Sequence, residues 1–132
     1  MNLRCTLTAI LLAPSAAQAC SPALPGAKVV ESARYAVAYR TQPERIAVGK
    51  HFSVEMAVCP KGGTPPPESV RVDAHMPEHR HGMNYKTLVV PAAGGHYRAD
   101  GLMFHMPGRW EFIFEVRSAG KTDRLTQSQV LE

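Results

Sequence analysis

The run Gly108-Arg109-Trp110-Glu111-Phe112-Ile113-Phe114-Glu115-Val116-Arg117 alternates apolar and charged side chains with a period of two. Trp110, Phe112, Phe114 and Val116 fall on one side, Arg109, Glu111, Glu115 and Arg117 on the other, and Ile113 alone breaks the pattern. Successive side chains of an extended chain point to opposite faces, so this is a strand with one face in a core and one toward water. No stretch of the chain shows a helical period with capping residues. The chain therefore reads as all-β.

Working outward, Gly120-Lys121 marks a hairpin turn and Leu125 to Leu131 a returning strand. Upstream, Val70, Val72 and Ala74 form an inward row with Arg71 and Asp73 outward. Phe52, Val54, Met56 and Val58 oppose His51, Ser53, Glu55 and Ala57 in the same way. Tyr35 to Arg40, Tyr85 to Val90 and His96 to Phe104 are weaker extended segments. Gln42-Pro43-Glu44, the Gly62-Gly63 and Pro65-Pro66-Pro67 stretch, Ala92 to Gly95 and Pro107-Gly108 interrupt them, because proline cannot continue a ladder. About seven short strands in ~110 residues predict an immunoglobulin-like β-sandwich over residues 35–132. A small β-barrel of similar strand count is the alternative.

The first nineteen residues read differently. Arg4 gives a basic start, Leu7 to Ala13 is mostly apolar, and Ala17-Gln18-Ala19 is a small-residue cleavage signal, so residues 1–19 are expected to be a signal peptide. The protein is then exported and periplasmic, with Cys20 at its new N-terminus and residues 20–34 an irregular lead-in. A cysteine at that position is open to lipid attachment, although Gln18 is bulky for such a signal. Removing the leader also removes Cys5 and leaves Cys20 and Cys59, an even pair that in an exported protein favours a disulfide. Closing a loop of ~40 residues would stabilise by roughly 4 kcal/mol in the chain-entropy account.

The formal net charge is +4, and losing Arg4 with the leader leaves +3. That excess is dispersed, with no basic run and no aromatic interleaving, which makes nucleic acid a poor candidate partner, and the export signal argues against it independently.

One segment is built from residues that turns do not need. His75-Met76-Pro77-Glu78-His79-Arg80-His81-Gly82-Met83 holds three of the six histidines and two of the six methionines, and His105-Met106 follows before another proline. Loops favour Gly, Asn, Asp and Ser for their geometry. Imidazole nitrogen with thioether sulfur is a donor set that suits copper, Cu(I) above all, with Cu(II) leaning on the imidazoles. His79 and His81 are spaced to chelate from an extended loop, Gly82 lets Met83 turn toward the same point, and His105 would enter from the next hairpin. His79, His81, Met83 and His105 are the expected ligands, with Met76 and Met106 as soft alternates and His75 as a spare. Zinc competes through Glu78 and Asp73, but leaves the methionines unexplained. In a purely structural reading Met76 and Met83 plug the end of the sandwich with the histidines hydrogen-bonded around them. His51 and His96, single on outward strand positions, are expected to be solvated surface histidines.

The same blocks, together with Gly95-His96-Tyr97-Arg98-Ala99 and Gly101-Leu102-Met103-Phe104-His105-Met106-Pro107-Gly108-Arg109-Trp110-Glu111, resemble the YtkA-like/FixH-like family of small exported bacterial proteins. The resemblance spans about residues 45–131 and implies an immunoglobulin-like sandwich, often signal-bearing or lipid-anchored. A looser likeness is to the PCu(A)C periplasmic copper chaperones. The gap from His75-Met76 to Met83 is shorter than in their motif, and His105-Met106 lacks its spacer residue.

No nucleophile elbow or phosphate loop occurs, so no enzyme activity is expected. The function expected is that of a periplasmic copper carrier or chaperone, serving a copper-accepting protein in the periplasm or membrane. The alternative is a non-metal module that docks on such a partner. Protein produced with export should show a Cys20–Cys59 bridge as a two-proton mass difference on reduction; two free thiols, or a diacylglyceryl mass on Cys20, would exclude it.

Overall fold

A computed structural model describes residues 24–132. They form β1 (Lys28–Glu31), β2 (Tyr35–Gln42), β3 (His51–Pro60), β4 (Ser69–Met76), β5 (His81–Gly82), β6 (Leu88–Pro91), β7 (His96–Met103), β8 (Gly108–Ser118) and β9 (Lys121–Leu131), with one short 3₁₀ turn at Ala93–Gly95. Five strands make one sheet in the order β1-β2-β3-β7-β6, and four make the other, β5-β4-β8-β9. All the ladders are antiparallel. The two sheets remain separate, so the fold is a β-sandwich and not the small barrel. Among the described residues no helix is long and apolar enough to cross a membrane.

β8 is the centre of the core, as its alternation requires. Trp110, Phe112, Phe114 and Val116 are fully buried and face the other sheet. Tyr39 of β2 sits across from them, with ring centres 5.5 Å from Phe112 and 4.8 Å from Phe114. Val70, Val72 and Ala74 of β4 lie inward with Arg71 and Asp73 outward. Ile113, the break in the pattern, is only 6 % exposed although it lies on the outer face, between Asp73 and Thr126 across the two ladders.

Three boundaries differ from the sequence expectation. The lead-in at 20–34 is not irregular throughout: Lys28–Glu31 pair with β2 and bury Val30, a four-residue signal too short to show a period. β6 begins at Leu88, not Tyr85, because the chain is still crossing between sheets there. β9 begins at Lys121, directly after a two-residue turn in which Ala119 and Gly120 both have positive φ, the geometry that matches hairpin twist. Nine strands therefore stand where about seven were expected, the additions being edge pieces of two to four residues. Cys59 is buried on β3, while Cys20 and the signal peptide expected at residues 1–19 lie outside the described residues.

The β3–β7 ladder slips by one residue between Phe52 and Val54. The extra residue lies in β7, where Gly101 has φ +89 and a Cβ would stand 3.0 Å from the Lys86 carbonyl oxygen. Only glycine combines that backbone with that approach. The bulge resets the phase of β7, so Ala99 and Leu102 both reach the core.

At the opposite end, Asp123 of β9 accepts hydrogen bonds from the Ser32 hydroxyl at 2.5 Å and from Arg34 Nε at 2.7 Å, tying the β1–β2 turn to the second sheet. The Ser32 hydrogen bond, assisted by Arg34 and opposed by burial, holds the Asp123 carboxyl below its ordinary value. A depressed carboxylate stabilises the fold above its unfolded pKa, and the contribution is lost as pH falls through the folded one. Asp123→Asn should lower the denaturation midpoint at pH 7, and its difference from wild type should narrow below about pH 4; a gap that is constant with pH would refute the linkage. Trp110→Ala should cost roughly 3–5 kcal/mol in chemical denaturation, as large aromatic truncations in cores do; an unchanged midpoint would contradict its burial.

Candidate metal centre

β4 is still in its ladder when it reaches His75 and Met76, so alternation sends them to opposite faces. His75 points outward, and its Nε2 lies 3.0 Å from Glu111 Oε1 across the β4–β8 ladder. Met76 points inward and is fully buried. Its methyl lies 2.7 Å from where a Cβ on Gly108 would stand, so the glycine makes room for it. Met76 thus plugs the end of the core, as the structural reading of the segment had it, and His75 is engaged elsewhere.

After Met76 the chain turns through Pro77–Arg80, with Arg80 at φ +55, and returns as β5. Glu78 Oε1 accepts from Arg109 Nε at 2.8 Å and ties this turn to the start of β8. β5 pairs His81 with Met76, which puts the His81 ring on the inward side of the sheet end. There it meets the loop after β7. The ring centres of His81 and His105 are 5.1 Å apart, and that of the exposed His79 is 5.7 Å from His81.

Both inner imidazoles stand steeply against Trp110. His105 lies 5.3 Å from the indole at 83°, and His81 lies 5.9 Å from it at 71°. The indole itself stacks on Phe104 at 4.4 Å and 6°, and its Nε1–H donates to the Met106 carbonyl at 3.0 Å. That bond pins the loop carrying His105.

Two ring nitrogens stand out. Nδ1 of His105 is buried and has no hydrogen-bond partner among the described residues. A buried polar atom without a partner costs about 1–3 kcal/mol, a cost that a bound water or ion would relieve. Nδ1 of His81 lies 3.2 Å from the Gly82 carbonyl. With its hydrogen there the ring donates to that carbonyl, leaving Nε2 with a free lone pair. Two imidazoles that share one ion at a tetrahedral or trigonal angle, through nitrogen at about 2.0–2.1 Å, hold their ring centres roughly 5 to 5.5 Å apart. The His81–His105 ring-centre spacing of 5.1 Å is compatible with that value.

The two thioethers are near the pair in sequence, and Met83 lines a pocket beside Asp73, Thr87 and Ile113, which neither histidine enters. Met106 follows His105 directly and Met83 follows His81 by two residues; both are half-buried against the core, and the Met83 N–H donates to the Ala74 carbonyl at 3.3 Å. Of the seven candidate donors, then, His79, His81 and His105 are brought into ring contact, Met83 and Met106 lie beside them in sequence, and His75 and Met76 are directed away. The three imidazoles form a chain, not a closed triangle, and no group of three His, Cys, Asp or Glu among the described residues constitutes a preformed metal site. Trp110 was legible only as a core residue. Its part in the site is signalled by nothing but its place directly after the Met-Pro-Gly-Arg block.

Fold and site together define a small two-sheet β-sandwich with an imidazole–indole cluster at one end. The chain belongs to the YtkA-like family, whose profile matches residues 30–115. Among solved structures it is similar to a DUF4426 family protein from Pseudomonas aeruginosa PAO1, with a TM-score of 0.53 and 14 % identity over 79 % of this chain and 96 % of that one. At that identity the likeness shows the fold alone. A search of curated proteins finds no match.

Proposed function

We propose that this protein is an exported, periplasmic copper-binding carrier or chaperone with no catalytic activity of its own. The observation that carries the reading is the buried, partnerless Nδ1 of His105 on a ring 5.1 Å from that of His81. His81 and His105 are the principal donors, with His79, Met83 and Met106 as the neighbours able to complete the set. Two imidazoles against an apolar indole wall, with Met106 next to His105 in the chain, favour a soft ion of low coordination number, Cu(I), over zinc or Cu(II). Zinc would call for further nitrogen, thiolate or carboxylate ligands, and Glu78 is engaged by Arg109. A half-buried site at the end of a sandwich suits hand-over to a copper-accepting partner in the periplasm or membrane. Export rests on the leader read at residues 1–19, and Cys20 is assigned to a bridge with Cys59 in preference to a lipid.

A second reading, a docking module without metal, is favoured by the exposure of Tyr85, Leu88 and Val90 along β6 and its approach. One experiment separates the two. In competition with a Cu(I) chelator, His81→Ala and His105→Ala should each weaken binding by at least tenfold, about 1.4 kcal/mol. Met83→Leu should weaken it less, and His75→Ala should leave it unchanged because Glu111 already engages that ring. If His105→Ala binds like wild type while His81→Ala does not, the site is a chelate of the β4–β5 segment alone. If none of the variants differs, the copper reading fails and the docking module takes its place.

A further inference from the structure

We propose that His51 and Met103, flanked by Tyr85, form a second, solvent-facing site for a soft monovalent metal ion on the outer face of the five-stranded sheet. His51 and Met103 are direct partners across the β3–β7 ladder. Their next neighbours, Phe52 and Leu102, are buried in the core, so both side chains point to the opposite, outer face. Directly opposed residues have Cβ atoms about 4.5–5.5 Å apart, within reach of an imidazole nitrogen and a thioether sulfur acting on one ion.

The glycine bulge creates this pairing. With the phase set by the buried Ala99, an unbroken β7 would bring Met103 to the core. The extra residue at Gly101, with φ +89, turns it outward one ladder position from the slip. Bulges commonly re-aim a side chain in this way at functional edges. The result is a thioether, only half-buried, on the solvent face beside an exposed imidazole. The Tyr85 ring meets His51 edge-on, with centres 5.0 Å apart at 74°, and holds the imidazole over that end of the sheet. Among the described residues neither nitrogen of His51 makes a hydrogen bond, so both are available. Thioether sulfur selects soft ions, which assigns the pair to Cu(I) or its redox-silent analogue Ag(I) and not to Mg(II), Ca(II) or Zn(II). Two donors at the surface make this the weaker of two sites, and it uses none of the residues of the His81–His105 cluster.

Ag(I) titration of the exported protein, followed by NMR of the methionine methyl and histidine ring signals, tests it. The expected result is two steps, with the Met103 methyl and His51 ring moving in the weaker one. Met103→Leu, which preserves volume, and His51→Gln should each remove the weaker step while the melting temperature and the tighter step stay unchanged. His81→Ala with His105→Ala should remove the tighter step and leave the weaker. A Met103 methyl that does not shift at saturating Ag(I), or a Met103→Leu titration identical to wild type, would overturn the proposal. Loss of the tighter step in the Met103→Leu variant would overturn it too, by showing a single shared site.

Discussion

The stack of Trp110 on Phe104, ring centres 4.4 Å apart and nearly parallel, is the contact on which both the core and the candidate site depend. It closes one end of the sandwich by joining the head of β8 to the loop that leaves β7. The hydrogen bond from the indole to the Met106 carbonyl fixes that loop. An aromatic pair anchored at its polar tip is worth more than its buried area alone. Its outer boundary is also the surface against which His81 and His105 stand. Core closure and the placement of the two imidazoles are thus one arrangement, in which the rings complete the end of the sandwich.

That arrangement explains the division within the histidine- and methionine-rich segment. While β4 is in its ladder, alternation gives Met76 to the core and His75 to Glu111 on the outer face. Gly108, at φ +122, leaves room for the Met76 methyl, which a Cβ there would push aside. Once the chain has turned at Arg80 and paired briefly as β5, His81 comes back to the inner side, opposite Met76. The methionine that seals the core is therefore the floor beneath His81. The Glu78–Arg109 pair joins the same two elements from outside.

A different device serves the other sheet. The bulge at Gly101 exchanges one ladder register for a phase change that keeps Ala99 and Leu102 in the core and sends Met103 outward beside His51. Soft donors thus occur on two faces of the same end of the molecule, one set half-buried against Trp110 and one open to solvent. Both lie where the alternation of a regular strand is interrupted.

The period-two patterns of β3, β4 and β8 determined the all-β class, the two-layer architecture and the buried row from Trp110 to Val116, because a half-buried strand writes its burial directly into the order of its residues. The same local rule also contained the fate of His75 and Met76, which alternation separates once β4 is known to run to Met76. What local order could not contain was set by pairing over long distances. β1 and β5 are too short to show a period and exist only because β2 and β4 offer them an edge. The phase of β7 depends on a bulge against β3. The approach of His105 to His81, 24 positions apart in the chain, depends on the indole to which both are packed. Periodicity reports which face a side chain takes, whereas the distance between two side chains on different strands is decided by register and by the packing between sheets, and only the tertiary structure holds those.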